Sequence, residues 1–96
     1  MSSIYQITIY KAISDPEKLA AYAALAGPAI EAGGGKFIAR GMPVAIKEEG
    51  EISRTVIILW PDLDTANAAF ASAAYVEALD KLQDGAVRDI RYVEAI

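Results

Sequence analysis

From Ile4 the chain alternates, with Tyr5, Ile7 and Ile9 on one side and Gln6, Thr8 and Tyr10 on the other. A period of two over this length predicts a strand, Ile4 to Ile13, with one strongly apolar face. Ser14-Asp15-Pro16-Glu17 follows: a cap residue, a proline suited to the first helical position and an acid for the first turn. Beyond it Leu19, Tyr22, Ala23, Ala26, Ala29 and Ile30 recur at spacings of three and four, marking the buried stripe of a helix that runs to the glycines at 33 to 35. Pro28 lies inside that stripe and predicts a bend rather than an end, because the apolar period continues past it.

Gly33-Gly34-Gly35 reads as a helix cap and turn, with at least one residue at positive φ. A phosphate-cradling loop would precede a helix, whereas this one follows a helix and leads into a strand. That strand, Lys36 to Arg40, puts Phe37 and Ala39 on one face and Ile38 and Arg40 on the other. Residues 41 to 53 form a polar excursion with a short strand over Val44 to Ile46 and a tip at Glu48-Glu49-Gly50. Arg54 to Trp60, RTVIILW, is apolar on both faces, which predicts a strand covered on both sides. Asp62 or Asp64 caps a helix carrying Ala66, Ala69 and Phe70. Ser72 starts a second helical stripe of Tyr75, Ala78, Leu79 and Leu82, which stops near Gly85. A last strand spans Val87 to Glu94. No internal repeat, linker or low-complexity segment interrupts residues 1 to 96, and the expectation is one domain.

The order is β-α-β-β-α-β, the split βαβ arrangement of an α+β, ferredoxin-like fold with a four-stranded antiparallel sheet. Two helices cover one face of such a sheet. A second copy of the same sheet is the simplest cover for the other, and a homodimer is expected. Composition points the same way: 54% hydrophobic residues is high for a 96-residue chain, whose proportion of surface is large.

Charge and residue inventory then exclude much. Nine basic and thirteen acidic residues give a net charge of −4, and the basic residues are scattered along the chain, so nucleic acid is not an expected partner. With no cysteine and no histidine, disulfides, thiol chemistry, imidazole- or thiolate-based metal sites and imidazole triads are all absent; no metal or cofactor is expected, and a reducing cytoplasm fits. No signal-like start and no run of about 18 apolar residues occurs, so no membrane partner is expected.

A family likeness is carried by Tyr22…Pro28…Gly33-Gly34-x-Phe37…Arg40-Gly41, by Ser72-x-x-Tyr75 and by Val93-Glu94. Together these residues make the chain resemble domain-of-unknown-function family 1330 (DUF1330), small bacterial proteins of the dimeric α+β-barrel superfamily. The resemblance implies a ferredoxin-like protomer whose sheet packs against its partner's around a shared barrel interior, and it implies no reaction. Met42 stands where the family usually has a second glycine, Leu82 where it has a helix arginine and Ala95 where it has a terminal glycine; Lys81 is the residue that would replace the missing arginine's charge.

Within this frame Arg40 is the residue with the most chemistry. By strand parity it faces the barrel interior with Ile38, where two readings stand. It forms an ion pair with Glu94, Asp89 or the Glu48-Glu49 loop, or it is a fixed fork for a carboxylate or enolate. Tyr10 and Gln6, with Thr8, line the same space or satisfy one another at an interface. Trp60 is a pocket wall or packing, and Tyr22 and Tyr75 are core aromatics whose hydroxyls find a partner. The candidate ligand contacts are thus Arg40, Tyr10, Gln6, Trp60, Tyr22 and Tyr75, for a small-molecule anion, with no catalytic residue assigned. Ser72 is a helix cap, since nothing here activates it as a nucleophile. Two function classes remain: a dimer binding a small organic acid in the barrel cavity, or a cofactor-independent enzyme of monooxygenase or isomerase type.

Overall fold

The computed structural model describes residues 3–96. Its elements run β1 (Ile4–Ile13), α1 (Pro16–Ala32), β2 (Lys36–Gly41), β3 (Thr55–Trp60), α2 (Leu63–Phe70), α3 (Ala73–Leu82) and β4 (Ala86–Glu94). The four strands form one antiparallel sheet in the order β2-β3-β1-β4, with β1 and β3 at its centre. This is the ferredoxin-like arrangement, with the second helical segment divided at Ser72 into α2 and α3.

Local chemistry sets the element ends. The Asp15 carboxylate accepts from the backbone N–H groups of Glu17 and Lys18, both at 3.1 Å, and Pro16 opens α1 without a donor to waste. The helix continues through Pro28 to Ala32. Asp62 caps α2 by accepting from Thr65 N–H at 2.7 Å, and Ser72 caps α3 by accepting from Tyr75 N–H at 3.3 Å.

The three glycines after α1 are held by separate demands. Gly34 has φ +105°, a conformation that costs a side-chain-bearing residue free energy. Gly33 and Gly35 are close approaches: a Cβ on Gly33 would lie 2.5 Å from Ala69 Cβ, and one on Gly35 would lie 2.7 Å from Ile30 Cγ2 and 2.9 Å from the Trp60 ring. The turn therefore lets β2 leave α1 tightly enough for Trp60 to close the core.

That core lies between the sheet and the helices. Trp60 is fully buried, with Ile58, Ile30, Ala66, Ala78 and Leu82 around it. Phe70 links two aromatic neighbours, with its ring centroid 5.8 Å from Trp60 and 4.4 Å from Tyr75. On β3 it is Val56, Ile58 and Trp60 that face the helices, paired with Thr8, Gln6 and Ile4 of β1. The more apolar side of β1, Tyr5, Ile7 and Ile9, faces away from the helices together with Ile57, Leu59 and Val93. In the single chain Tyr5, Ile7, Ile9, Ile57 and Leu59 are only half-buried.

Two expectations are corrected. No strand forms over Val44 to Ile46: residues 42–54 are irregular, Val44 is fully exposed, and the segment has no neighbouring strand with which to pair. Its tip is a turn at Glu48-Glu49, with Glu48 at φ 52°. The second correction concerns Arg40. Phe37 pairs with Ile58, but Ala39 pairs with Ile57 and Arg40 with Val56, so the register shifts by one residue at Ile38. A bulge of this kind reverses the facing of everything after it. Arg40 consequently shares the helix-side face with Phe37 instead of opposing it.

Candidate functional site

The bulge at Ile38 aims Arg40 at a cavity of about 50 Å³ that is open to solvent and lies between the sheet and α1. Its floor is the helix-facing side of all four strands: Gln6, Thr8 and Tyr10 from β1, Phe37 and Arg40 from β2, Val56 and Ile58 from β3, Arg88 from β4, with Arg54 just before β3. Its roof is the α1 face of Tyr22, Ala23, Ala26, Gly27 and Ile30. Small residues at 23, 26 and 27 keep the helix from filling the space. At roughly 10–15 Å³ per water position, the volume accommodates a few waters or one small organic molecule.

Arg40, Arg54, Tyr10 and Arg88 form a row across one end of the sheet. Arg40 pairs with Val56 on β3, the Arg54 carbonyl accepts from Tyr10 N–H at 2.9 Å, and Tyr10 pairs with Arg88 on β4. The guanidinium carbons of Arg54 and Arg88 each lie 5.9 Å from the Tyr10 ring centroid, Arg88 also lies 5.1 Å from that of Tyr22, and Arg40 lies 4.5 Å from that of Phe37. Aromatic faces thus steady all three cations. No carboxylate lines the cavity. Among the described residues the salt bridges are Lys18–Asp84 and Arg91–Asp89, and neither involves these three arginines. Among the described residues, Arg88 is the one of the three guanidiniums with a protein acceptor for its N–H groups, donating from Nη1 to the Tyr22 hydroxyl at 3.0 Å. Arg54 Nε is buried without any partner.

The neutral groups are held more firmly. Tyr22 and Tyr75 hydroxyls lie 2.8 Å apart, with the rings edge to face. Burial, reinforced by the Tyr75 hydroxyl, pushes the Tyr22 phenol well above its ordinary value against the opposing pull of Arg88, so Tyr22 stays protonated. Burial works against the Arg88 charge, but its tyrosine partners outweigh this and hold it above its ordinary value. On the other side, Trp60 Nε1 donates to Gln6 Oε1 at 3.0 Å, and Gln6 Nε2 donates to Thr8 Oγ1 at 3.3 Å. The indole can only donate, which fixes the Gln6 amide, and the Thr8 hydroxyl hydrogen is left to donate elsewhere.

Of the six residues singled out from the sequence, Arg40, Tyr10, Gln6 and Tyr22 line this one cavity. Trp60 and Tyr75 do not; they stand behind it, bonded to Gln6 and Tyr22. The cavity lies beneath α1, not on the sheet face that points away from the helices, where the sequence reading had placed Arg40. The acids proposed as its partners are not paired with it: Asp89 binds Arg91 through two contacts of 2.8 and 3.1 Å. Leu82 is a core residue, and Lys81 is exposed and outside the cavity lining. Thr8 lines the cavity with Tyr10 and Gln6, as their shared strand face implies, whereas sequence reasoning did not place Arg54 and Arg88 in its lining. Arg54 did carry a signal, since it stands in phase with Val56, Ile58 and Trp60 in RTVIILW; Arg88 joins the site only through the β1–β4 register.

An antiparallel sheet with helices on one face and a cavity beneath the first helix defines a ferredoxin-like α+β protein. The chain belongs to the family described as domain of unknown function (DUF1330), whose model matches residues 3–96. No curated protein matches its sequence. Among solved structures it is similar to RPA0582, a protein of unknown function from Rhodopseudomonas palustris, at 19% identity over 99% of this chain and 83% of that one, with a TM-score of 0.75. SnoaB, a cofactor-independent oxygenase from Streptomyces nogalater, is similar at 14% identity over 100% and 95%, TM-score 0.71. A dimeric protein of unknown function with a ferredoxin-like fold from Bacteroides fragilis is similar at 13% identity over 99% and 98%, TM-score 0.59. At these identities the likeness is one of fold. No helix among the described residues is long and apolar enough to cross a membrane.

Proposed function

We propose that this protein binds a small organic acid in the cavity between the sheet and α1, with Arg40, Arg54 and Arg88 as the anion-recognising groups. One observation carries the reading: three guanidiniums converge on a cavity lined by no carboxylate, and among the described residues their N–H groups find only tyrosine hydroxyls as protein acceptors. Cations gathered in this way repel one another, which an incoming carboxylate corrects through charge-assisted, bidentate hydrogen bonds. Tyr10, Thr8 and Gln6 supply the neutral contacts, and the small α1 residues admit the ligand's carbon skeleton.

A second copy of the chain covers the open sheet face in this account. Tyr5, Ile7, Ile9, Ile57, Leu59 and Val93 form an apolar surface there, rimmed by Lys36 and the Asp89–Arg91 pair. A stable pairing of this kind buries on the order of 1,600 Å² in total. The Bacteroides fragilis protein that shares the fold is itself dimeric.

Catalysis without a cofactor is the second reading, and the fold shared with the Streptomyces nogalater oxygenase supports it. Fold is a weak warrant for chemistry. The lining offers neither a carboxylate nor an imidazole as general base, and Tyr22 is held protonated, so the cavity favours recognition over proton abstraction. A thermal-shift series with small carboxylates and phenols tests the preferred reading. Carboxylates should stabilise the wild type and shift Arg40→Ala much less. Equal shifts in both proteins, or shifts with neutral phenols only, would overturn it.

A further inference from the structure

The three cationic groups do not share one point. Arg40 and Arg54 stand on and beside adjacent strands, β2 and β3, while Arg88 lies on β4 with β1 between. Neighbouring strands are about 4.8 Å apart, so the backbone of Arg88 is roughly 10 Å from that of Arg54. Tyr10 occupies the intervening strand, and the guanidinium carbons of Arg54 and Arg88, which come from beside and on the strands flanking it, each lie 5.9 Å from its ring centroid. The site thus has two cationic ends separated by an aromatic ring. Arg40 and Arg54 make one end, with the unpartnered, buried Arg54 Nε–H as its inner donor. Arg88, braced by the Tyr22 hydroxyl, makes the other.

A monocarboxylate satisfies one end and leaves the half-buried cation at the other with no carboxylate beside it. Inorganic phosphate carries enough charge but is too compact to reach both ends. Resting on the anion-binding reading above, we propose that the ligand is a short-chain dicarboxylate. One carboxylate is held by Arg40 and Arg54, the other by Arg88, and the methylenes lie over Tyr10 beneath Ala26 and Gly27. The cavity of about 50 Å³ limits the carbon chain between the carboxylates to a few atoms.

Titration calorimetry of the full chain at low salt with succinate, propionate and inorganic phosphate tests this. Succinate should bind at least tenfold more tightly than propionate, well beyond the factor of two that a second identical head supplies statistically. Arg40→Met changes a surface side chain of β2 and should fold normally; it should bring succinate affinity down to near that of propionate. If propionate and succinate bind within a factor of two, the anion pocket stands and the two-headed ligand is wrong. Phosphate binding without succinate binding refutes the dicarboxylate in the same way. If none of the three binds at ten-millimolar concentrations, the proposal and the anion-binding reading on which it rests both fail.

Discussion

Arg54→Met should make the ligand-free protein more stable while weakening its affinity for carboxylates. Arg54 Nε–H is buried with no acceptor, and a donor left in that state costs about 1–3 kcal/mol. Its contact with the Tyr10 ring, at 5.9 Å, returns about 0.5–1 kcal/mol. Methionine keeps the apolar stem in place and removes both the orphan donor and a charge that repels Arg40 and Arg88. The balance is a gain of about 1 kcal/mol in a buffer free of carboxylate, phosphate and sulfate. With a urea slope of about 1–3 kcal/mol per molar, the midpoint should rise by roughly 0.3–1 M. The assay is urea denaturation followed by Trp60 fluorescence, in such a buffer and again with succinate. Succinate should stabilise the wild type more than the variant, so the order of stability narrows or reverses. A loss of more than about 1 kcal/mol for Arg54→Met without any anion would refute the reasoning, because it would mean that the arginine is a structural member of the fold whose cost is already met.

Three further outcomes follow from the same geometry. Gly35→Ala should lose about 1–3 kcal/mol in denaturation, since the new methyl meets Ile30 and Trp60 below 3 Å, and Gly34→Ala about 1 kcal/mol or more from its φ of +105°; alanine variants as stable as the wild type would contradict the account of the turn. Because burial raises the Tyr22 pKa in the folded chain, its stabilising contribution is fully present below the ordinary tyrosine value of 10.0 and is lost as pH rises through the folded value. Ultraviolet difference titration should show a tyrosine that resists ionisation above that pH and is missing from Tyr22→Phe; a Tyr22→Phe titration identical to that of the wild type would count against it. Leu59→Glu, on the open sheet face, should convert a dimer of about twice 10.2 kDa to monomer by light scattering, and a wild-type mass already at 10.2 kDa would end the dimer proposal.

What could be read from the sequence was whatever depends on neighbours along the chain. The alternation of β1, the Asp15, Asp62 and Ser72 caps and the glycine turn are written in local spacing, and each element stands where that spacing put it. The face on which a side chain lies was less accessible. KFIARG carries no proline or internal glycine to mark the bulge at Ile38, yet that one extra residue moves Arg40 from one side of the sheet to the other. Alternation likewise separates Gln6, Thr8 and Tyr10 from Tyr5, Ile7 and Ile9 without saying which set the helices cover. The polar set is the covered one because Trp60 Nε1 and the Gln6–Thr8 contact satisfy it internally. Arg40, Arg54 and Arg88 look scattered in one dimension, and only the strand order β2-β3-β1-β4 brings them to one cavity.

The central claim, that those three guanidiniums receive one anion, has a direct test in the protein's own arginine signals. The chain has four arginines, and the fourth, Arg91, is paired with Asp89 on the other face of the sheet, where it serves as an internal control. In a ¹⁵N–¹H spectrum of the Nε–H groups, succinate added at low salt should shift Arg40, Arg54 and Arg88 along one common saturation curve. Arg54 should move furthest, as its buried Nε–H gains its first acceptor, and Arg91 should stay in place. Four signals drifting together with ionic strength, or three that do not move at all, would contradict the account.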